Sequence, residues 1–345
     1  MNKIKLLDVC NIKTGKLDSN AAVEGGVYPF FTCAPNPLAI DSYMFDEDAI
    51  LLAGNNAQGN FHIQRYSGKF NAYQRTYVIT AKYGWDIDYI KYSIEISLNH
   101  LKRISQGSQT KFLTMTMLDE FYIVNRSKDE QEKLIACLKS IDKKIQLNKK
   151  INDNLEQQIQ LIFDYLFPDV CAGNKHMGDF IIPKRGKSLL SKNAVHGNVP
   201  VIAGGLEPSI YHNVANTVAP VVTISSSGAN AGFVNIWGIP VWSSDSSYID
   251  SEMSQYVYFW YAYLKRHQNN IYNIQTGSAQ PHIYPSHISS LPITDLDYKK
   301  IEKYTEIVNP IFSTITKNYV ENQHLQSLRD WLLPMLMNGQ ATISD

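Results

Sequence analysis

The chain has no run of eighteen apolar residues, and about 20 are needed to cross a bilayer as a helix, so no membrane span is expected. It has no surplus of charge either. Its 32 Lys+Arg stand against 32 Asp+Glu, for a formal net charge of +0. That excludes a simple polybasic nucleic-acid binder. A neutral chain still binds DNA when its cations gather on one face, or when a partner neutralises phosphates. Cysteine is scarce. Cys10, Cys33, Cys137 and Cys171 have no short metal or redox spacing, and free thiols in a reducing cytosol are expected. The stretch Met1 to Cys10 lacks the apolar core of a signal peptide, which points to a cytoplasmic location.

Catalytic signatures are missing too. There is no Gly-x-x-x-x-Gly-Lys-Ser/Thr phosphate loop and no His-Glu-x-x-His. No Asn/Asp-Pro-Pro-aromatic run occurs, as an amino-methyltransferase would need to hold a flipped base. Ser225-Ser226-Ser227 lies outside any Gly-x-Ser-x-Gly elbow, and Ser in a strand-to-loop turn explains it better than a nucleophile. Gly25-Gly26 and Gly204-Gly205 read as turns, and His282 and His287 as surface or packed residues. No catalytic and no metal-ligating residue is assigned.

What is present is a heptad seam. Leu134, Leu138, Ile141, Ile145, Leu155, Ile159, Ile162 and Leu166 step by four and three, with Asn148 and Asn152 in the middle where the pattern asks for Leu or Ile. About 170 residues later the same spacing returns in Tyr304, Val308, Ile311, Ile315, Asn318, Asn322, Leu325, Arg329, Leu332 and Leu336, with the Asn pair in the same slots. Each seam is about 32 residues, or roughly 48 Å at 1.5 Å per residue. An antiparallel pairing lets the segment between the helices close at one end. It sets Asn148 opposite Asn322, Asn152 opposite Asn318, Leu134 opposite Leu336 and Leu166 opposite Tyr304. Ile141 opposite Arg329 is the flaw in that register. Buried amides disfavour any other register, so replacing Asn148 and Asn152 by Leu is expected to raise stability and loosen alignment. Pro310 and Pro334 predict that the second helix begins or kinks near Pro310 and kinks or ends near Pro334. Ser127 to Glu130 fits a capping box at the start of the first helix, and Pro168 marks its end.

The segments flanking the seam repeat as well. Val27 to Phe31 resembles Val199 to Ile202, Ile50-Leu51-Leu52 resembles Val221 to Ile224, and Gly59-Asn60-Phe61 resembles Ala231-Gly232-Phe233. Gln106 to Gln109 resembles Thr276 to Gln280. Ala49–Ala53 and Thr76–Thr80 read as strands, Tyr89 to Leu101 as one short helix, Leu118 to Val124 as a strand or extended segment, and Tyr256 to Tyr263 as an aromatic helix with a solvated basic end at Lys265-Arg266-His267. The fold class is therefore α+β: two similar mixed α/β modules separated by a long antiparallel two-helix coiled coil, a pseudo-two-fold internal duplication. The expected boundaries are 1–126, 127–167, 168–293 and 294–345.

Residues suited to nucleic acid cluster in loops. Asn55, Asn56, Gln58 and Asn60 lie in a carboxamide-dense loop, and carboxamides match adenine edges. Tyr73, Gln74 and Arg75 join an aromatic, an amide and a guanidinium before a strand. Lys13 and Lys16 flank a glycine, as do Lys184, Arg185 and Lys187 in the second module, an arrangement suited to phosphates. Lys111, Ser226, Asn230 and Gln280 complete the DNA-binding candidates. Lys143, Lys144, Lys149 and Lys150 are candidate docking residues on the outer helix face.

Ile12 to Lys16, Gly107-Ser108 before Phe112, Thr276 to Ile283 and the closing Leu328 to Gly339 resemble the specificity subunit of type I restriction-modification enzymes. The resemblance covers essentially the whole chain. It implies two target-recognition domains, each reading one half of a bipartite site in double-stranded DNA. The helices would set the spacer and dock two methyltransferase subunits, and restriction subunits would join. It implies that this chain is not itself an enzyme and binds no cofactor, with S-adenosylmethionine, ATP and Mg on the partner subunits. A relative whose partner fuses methylation and cleavage, or a scaffold that binds proteins rather than DNA, are the alternatives.

Overall fold

The computed structural model describes residues 2–107, 109–277 and 280–341. Contacts divide the chain into two units, Met1–Lys144 with Leu325–Asp345, and Ile145–His324.

The first unit holds a six-stranded sheet. Its strands are β1 (Cys10–Thr14), β2 (Tyr28–Phe31), β3 (Leu38–Ile40), β4 (Phe45–Ala53), β5 (Ile63–Ala72) and β6 (Thr76–Ala81), in the order β1-β6-β4-β5-β2-β3. All pairings are antiparallel except β2 with β5. The apolar run Ala49–Ala53 is buried at every position, as a strand covered on both faces requires. One face packs on helix α1 (Ile87–Glu95), where Tyr89, Ile90, Tyr92 and Ile94 join Leu6, Ile50, Leu52 and Ile79 in one core. Asp86 starts this helix by accepting from the N–H groups of Asp88 and Tyr89 at 2.8 and 3.2 Å. The single helix expected over Tyr89 to Leu101 is two. It breaks at Ser97, whose φ of −101° and ψ of 1° leave the helical region, and resumes as α2 (Leu98–Ile104). Leu118 to Val124 is likewise a short helix, Met115–Asp119, followed by a strand, Tyr122–Val124. Thr114 caps that helix through its hydroxyl, a signal masked by the β-like composition around it.

The second unit has the same pairing order in two pieces. Strands β7 (Lys184–Arg185), β8 (Val199–Ile202), β9 (Ile210–His212), β10 (Val221–Ser225), β11 (Val234–Trp237), β12 (Trp242–Ser243) and β13 (Ser246–Asp250) form β7-β13-β10-β11 and β9-β8-β12. The parallel pairing of β8 with β12 repeats that of β2 with β5, so the long strand β5 has been split into β11 and β12. Helix α3 (Val257–Arg266) takes the place of α1, and its aromatic residues are core: Phe259, Trp260, Tyr261 and Tyr263 are all buried. Its basic end is not a solvated cap. Arg266 donates to the carbonyls of Phe167 and Pro168, both at 2.7 Å, which satisfies acceptors left over by a helix end. Lys265 donates to Val234 O at 3.0 Å and lies over the Phe233 ring.

Two long helices contribute to both units, α4 (Lys128–Leu166) and α5 (Tyr298–Met337). Ser127 and Glu130 form the capping box at the start of α4: Ser127 N–H donates to Glu130 at 2.8 Å, and Glu130 N–H donates to Ser127 Oγ at 3.4 Å. Within the second unit the helices run antiparallel. Asn148 Nδ2 donates to Asn322 Oδ1 at 2.9 Å, and Asn318 Nδ2 donates to Asn152 Oδ1 at 2.8 Å. Asn152 and Asn322 also donate to the facing backbone carbonyls of Ile315 and Ile145. Phe163, Phe167, Phe259 and Tyr304 then pack ring on ring, and burying each side chain contributes about 1.5–3 kcal/mol. Within the first unit Leu134 and Leu138 share a core with Leu333 and Leu336. Arg329 is no flaw in the seam. Its guanidinium is gripped by Glu95 and lies 2.8 Å from Asp142, so the buried charge is balanced by carboxylates that the heptad pattern does not contain.

Helix α5 does not begin at Pro310 but well before it, at Tyr298. The lost N–H bond at Pro310 is outweighed by Ile301, Tyr304 and Val308, all fully buried upstream. The bonded amides also reverse the expectation that Leu at 148 and 152 stabilises. Changes on one helix strand their partner amides on the other. Asn148→Leu should lower unfolding free energy by about 1–3 kcal/mol, and adding Asn322→Leu should recover most of it. Chemical denaturation of the two variants measures this; a single variant as stable as the parent would contradict the amide pairing.

Candidate nucleic-acid interface

In the first unit the sequence-predicted residues come together where β1 and β4 end and β6 begins. Thr14 pairs with Tyr77, and Ala53 with Thr76. The two loops leaving β1 and β5 are stitched to each other: Gln74 N–H donates to Leu17 O at 2.9 Å, and Gly15 N–H to Thr76 O at 3.4 Å. Gly15 is needed for that approach, because a Cβ there would lie 1.8 Å from Ala72 O. Gly54 N–H donates to Arg75 O at 2.8 Å, and Leu113 N–H to Gly54 O at 2.8 Å, which brings in the carboxamide loop and the strand Lys111–Phe112. Asn56 pairs with Lys111.

That loop is ordered by its own side chains. Asn56 Oδ1 accepts from the N–H groups of Gln58 and Asn60 at 2.9 and 3.0 Å, an Asx-type turn. Gly59, with φ +72°, supplies the left-handed residue the turn needs. Lys102 Nζ donates to Asn60 Oδ1 at 2.6 Å. Lys16, Gln58, Asn60, Gln74 and Arg75 are exposed, Asn55, Asn56, Tyr73 and Lys111 half-buried. Lys13 is exposed but paired with Glu47 at 3.3 Å. The result is a surface of carboxamides rimmed by cations, with donors for phosphate oxygens and both donors and acceptors for base edges.

The second unit assembles the equivalent junction. Arg185 pairs with Ser247, and Ser225 with Ser246. Gly186 N–H donates to Ser246 O at 2.8 Å and Lys187 N–H to Ser243 O at 2.9 Å. A Cβ on Gly186 would lie 2.4 Å from Ser243 O. Ile283 N–H donates to Ser226 O at 2.9 Å and Gly228 N–H to Pro281 O at 3.0 Å, which sets Gln280 beside the loop carrying Asn230. Lys184, Arg185, Lys187 and Gln280 are exposed and Asn230 is half-buried.

Ser226 is the exception. It is 1% exposed, and its hydroxyl points inside. The residue that turns outward is the next one, Ser227, whose hydroxyl donates to Asp245 Oδ2. Sequence reasoning also missed Asp245 and Lys102, which reach the site from distant positions. Ser108, Ser278 and Ala279, in the paired loops singled out from sequence, lie outside the described residues. Among the described residues no group of three or more His, Cys, Asp or Glu is placed to hold a metal, and no helix is long and apolar enough to cross a membrane.

Comparison with known proteins agrees with this picture. Residues 1–157 match the family model of the type I restriction modification DNA specificity domain. A stretch of 76 residues is 57% identical to the type I restriction enzyme EcoDI specificity subunit of Escherichia coli, covering 22% of this chain and 16% of that one. A longer match, 23% identical over 298 residues, joins 74% of this chain to 69% of the type I restriction enzyme MjaIX specificity subunit of Methanocaldococcus jannaschii. Among solved structures, a type I restriction-modification S subunit from M. genitalium aligns over 99% of this chain and 96% of that one, with TM-score 0.58 and 16% identity, which establishes a shared fold. Residues 1–157 are thus similar to the DNA specificity domain of type I restriction-modification systems. Over its length the chain shares the fold of a type I restriction-modification S subunit, and it spans 16% of the first of these curated relatives.

The glycine junctions give a direct test of the site's construction. Gly15→Ala and Gly186→Ala should each cost about 1–3 kcal/mol through overpacking against backbone, read as a lowered melting temperature. Variants that melt with the parent would show that the loops are not held this closely.

Proposed function

We propose that this chain is the DNA-reading subunit of a type I restriction-modification complex. Residues 1–126 and 168–293 are its two target-recognition domains, and 127–167 and 294–345 its helical segments. Each domain reads one half of a bipartite site in double-stranded DNA. The paired helices set the gap between the half-sites and dock two methyltransferase subunits, which restriction subunits join. Methyl transfer, with S-adenosylmethionine, and cleavage, with ATP and Mg, belong to those partners, and the complex works in the cytoplasm.

The observation that carries this reading is the repeated junction. In two modules with one strand order, cations and neutral hydrogen-bonding side chains collect where the same strand ends meet. Net neutrality fits a subunit whose partners supply much of the phosphate neutralisation. Docking is supported by apolar side chains left on the long helices. Leu161 and Tyr165, one turn apart, are 68% and 85% exposed, and Trp331 is 60% exposed. Lys143, Lys144, Lys149 and Lys150 are exposed on the same helices.

Lengthening both helices by one heptad away from the central amides tests the reading. Seven residues add about 10.5 Å, or about three base pairs at 3.4 Å each. Mapping of methylated adenines should find both half-sites unchanged and the gap wider by that amount. An unchanged gap would refute the spacer role.

A further inference from the structure

The two junctions share a frame and differ in chemistry. Gly54 N–H donates to Arg75 O in the first module, as Ser226 N–H donates to Asp245 O at 3.1 Å in the second. Asp245 therefore stands where the first module has Arg75. The same registers equate Thr14 with Arg185 and Asn55 with Ser227. Where the first module presents Thr, Asn and an exposed Arg, the second presents Arg, Ser and Asp joined in a chain. Ser227 Oγ donates to Asp245 Oδ2, and Arg185 Nη2 donates to Asp245 Oδ1 at 2.5 Å.

This chain lies at the surface, with the Arg185 and Asp245 side chains 43% and 37% exposed. An ion pair so exposed adds little to stability. What it does is hold a guanidinium. An arginine on a flexible stem loses rotamer freedom when it binds, and a carboxylate brace removes part of that cost in advance. One terminal nitrogen is engaged with Asp245, and the side chain as a whole is 43% exposed. Two N–H donors on one planar group match two acceptors on one base edge, which in the major groove are N7 and O6 of guanine.

We propose that Arg185 reads a guanine in the half-site of the second module, and that Asp245, itself held by Ser227, is its positioning residue. This inference rests on the function proposed above. Among the described residues the first module has no such brace. It displays a different set there, Asn55 and Asn56 with Arg75, so one module's preference does not carry over to the other.

The test uses the full chain co-expressed with its methyltransferase and restriction partners, and sequencing of methylated adenines across the genome. Arg185→Lys keeps the charge and loses the fork. It should relax preference at one guanine of one half-site by about ten- to a hundredfold, with the other half-site and the gap unchanged. Asp245→Asn keeps Arg185 and weakens its brace, and should relax the same position to a smaller degree. An intact motif in Arg185→Lys, or modification weakened equally at every site, would make Arg185 a phosphate contact at most and overturn the proposal. Relaxation in Arg185→Lys with none in Asp245→Asn would overturn the positioning role. Melting curves check that each variant folds. If Arg185→Lys does not, Asp245→Asn alone decides, since relaxation at a single guanine has no structural substitute. A parent chain that directs no sequence-specific methylation would instead overturn the underlying function.

Discussion

The seam between the long helices depends on a small cluster of amides, with Asn148 buried and Asn152, Asn318 and Asn322 half-buried. Asn148 and Asn322, and Asn152 with Asn318, bond across the helix pair in the second unit. Leu or Ile at these positions would bury more apolar surface, but would accept any register of the same heptad period. An amide accepts only a partner that can bond it, because a buried unpaired amide costs about 1–3 kcal/mol. Sliding one helix by a turn would set Asn against Ile315 or Ile145 side chains. The cluster therefore fixes the alignment, and in the proposed function that alignment becomes the gap between half-sites.

Around this seam the two modules use one construction. Strand ends meet at a junction closed by a glycine, Gly15 or Gly186, whose missing Cβ lets a loop backbone come within contact of another. The frame is made of backbone hydrogen bonds and buried strands, so it tolerates changes in the side chains it displays. Arg75 and Asp245 occupy equivalent places with opposite charge. In the proposed function, this lets one set of strands display different recognition side chains in the two modules.

Much of this was legible in the sequence, and the limits have physical causes. The seam and its register could be read because a period near 3.5 and two misplaced amides are local signals. The capping box at Ser127 and Glu130 was readable for the same reason. Pro310 misled because local propensity counts against a helix there, while burial of Ile301, Tyr304 and Val308 decides in favour. Arg329 looked misplaced because its partners, Glu95 and Asp142, come from another helix and from outside the seam positions. At the site, the loops were legible and the facing of single residues was not. Just past the end of β10 the chain turns, and Ser226 is buried while Ser227 reaches Asp245, so choosing Ser226 selected the buried side chain. Lys102 and Asp245 were invisible because only the folded chain brings them beside Asn60 and Arg185.

The central claim is that one chain reads two half-sites at a fixed separation. Sequencing of methylated adenines in cells that express this chain with its methyltransferase partner tests it most directly. The account predicts one two-part motif with a constant gap of unspecified bases, absent when this chain is omitted. A single uninterrupted motif, two half-sites at variable separation, or the same methylation without the chain would contradict it.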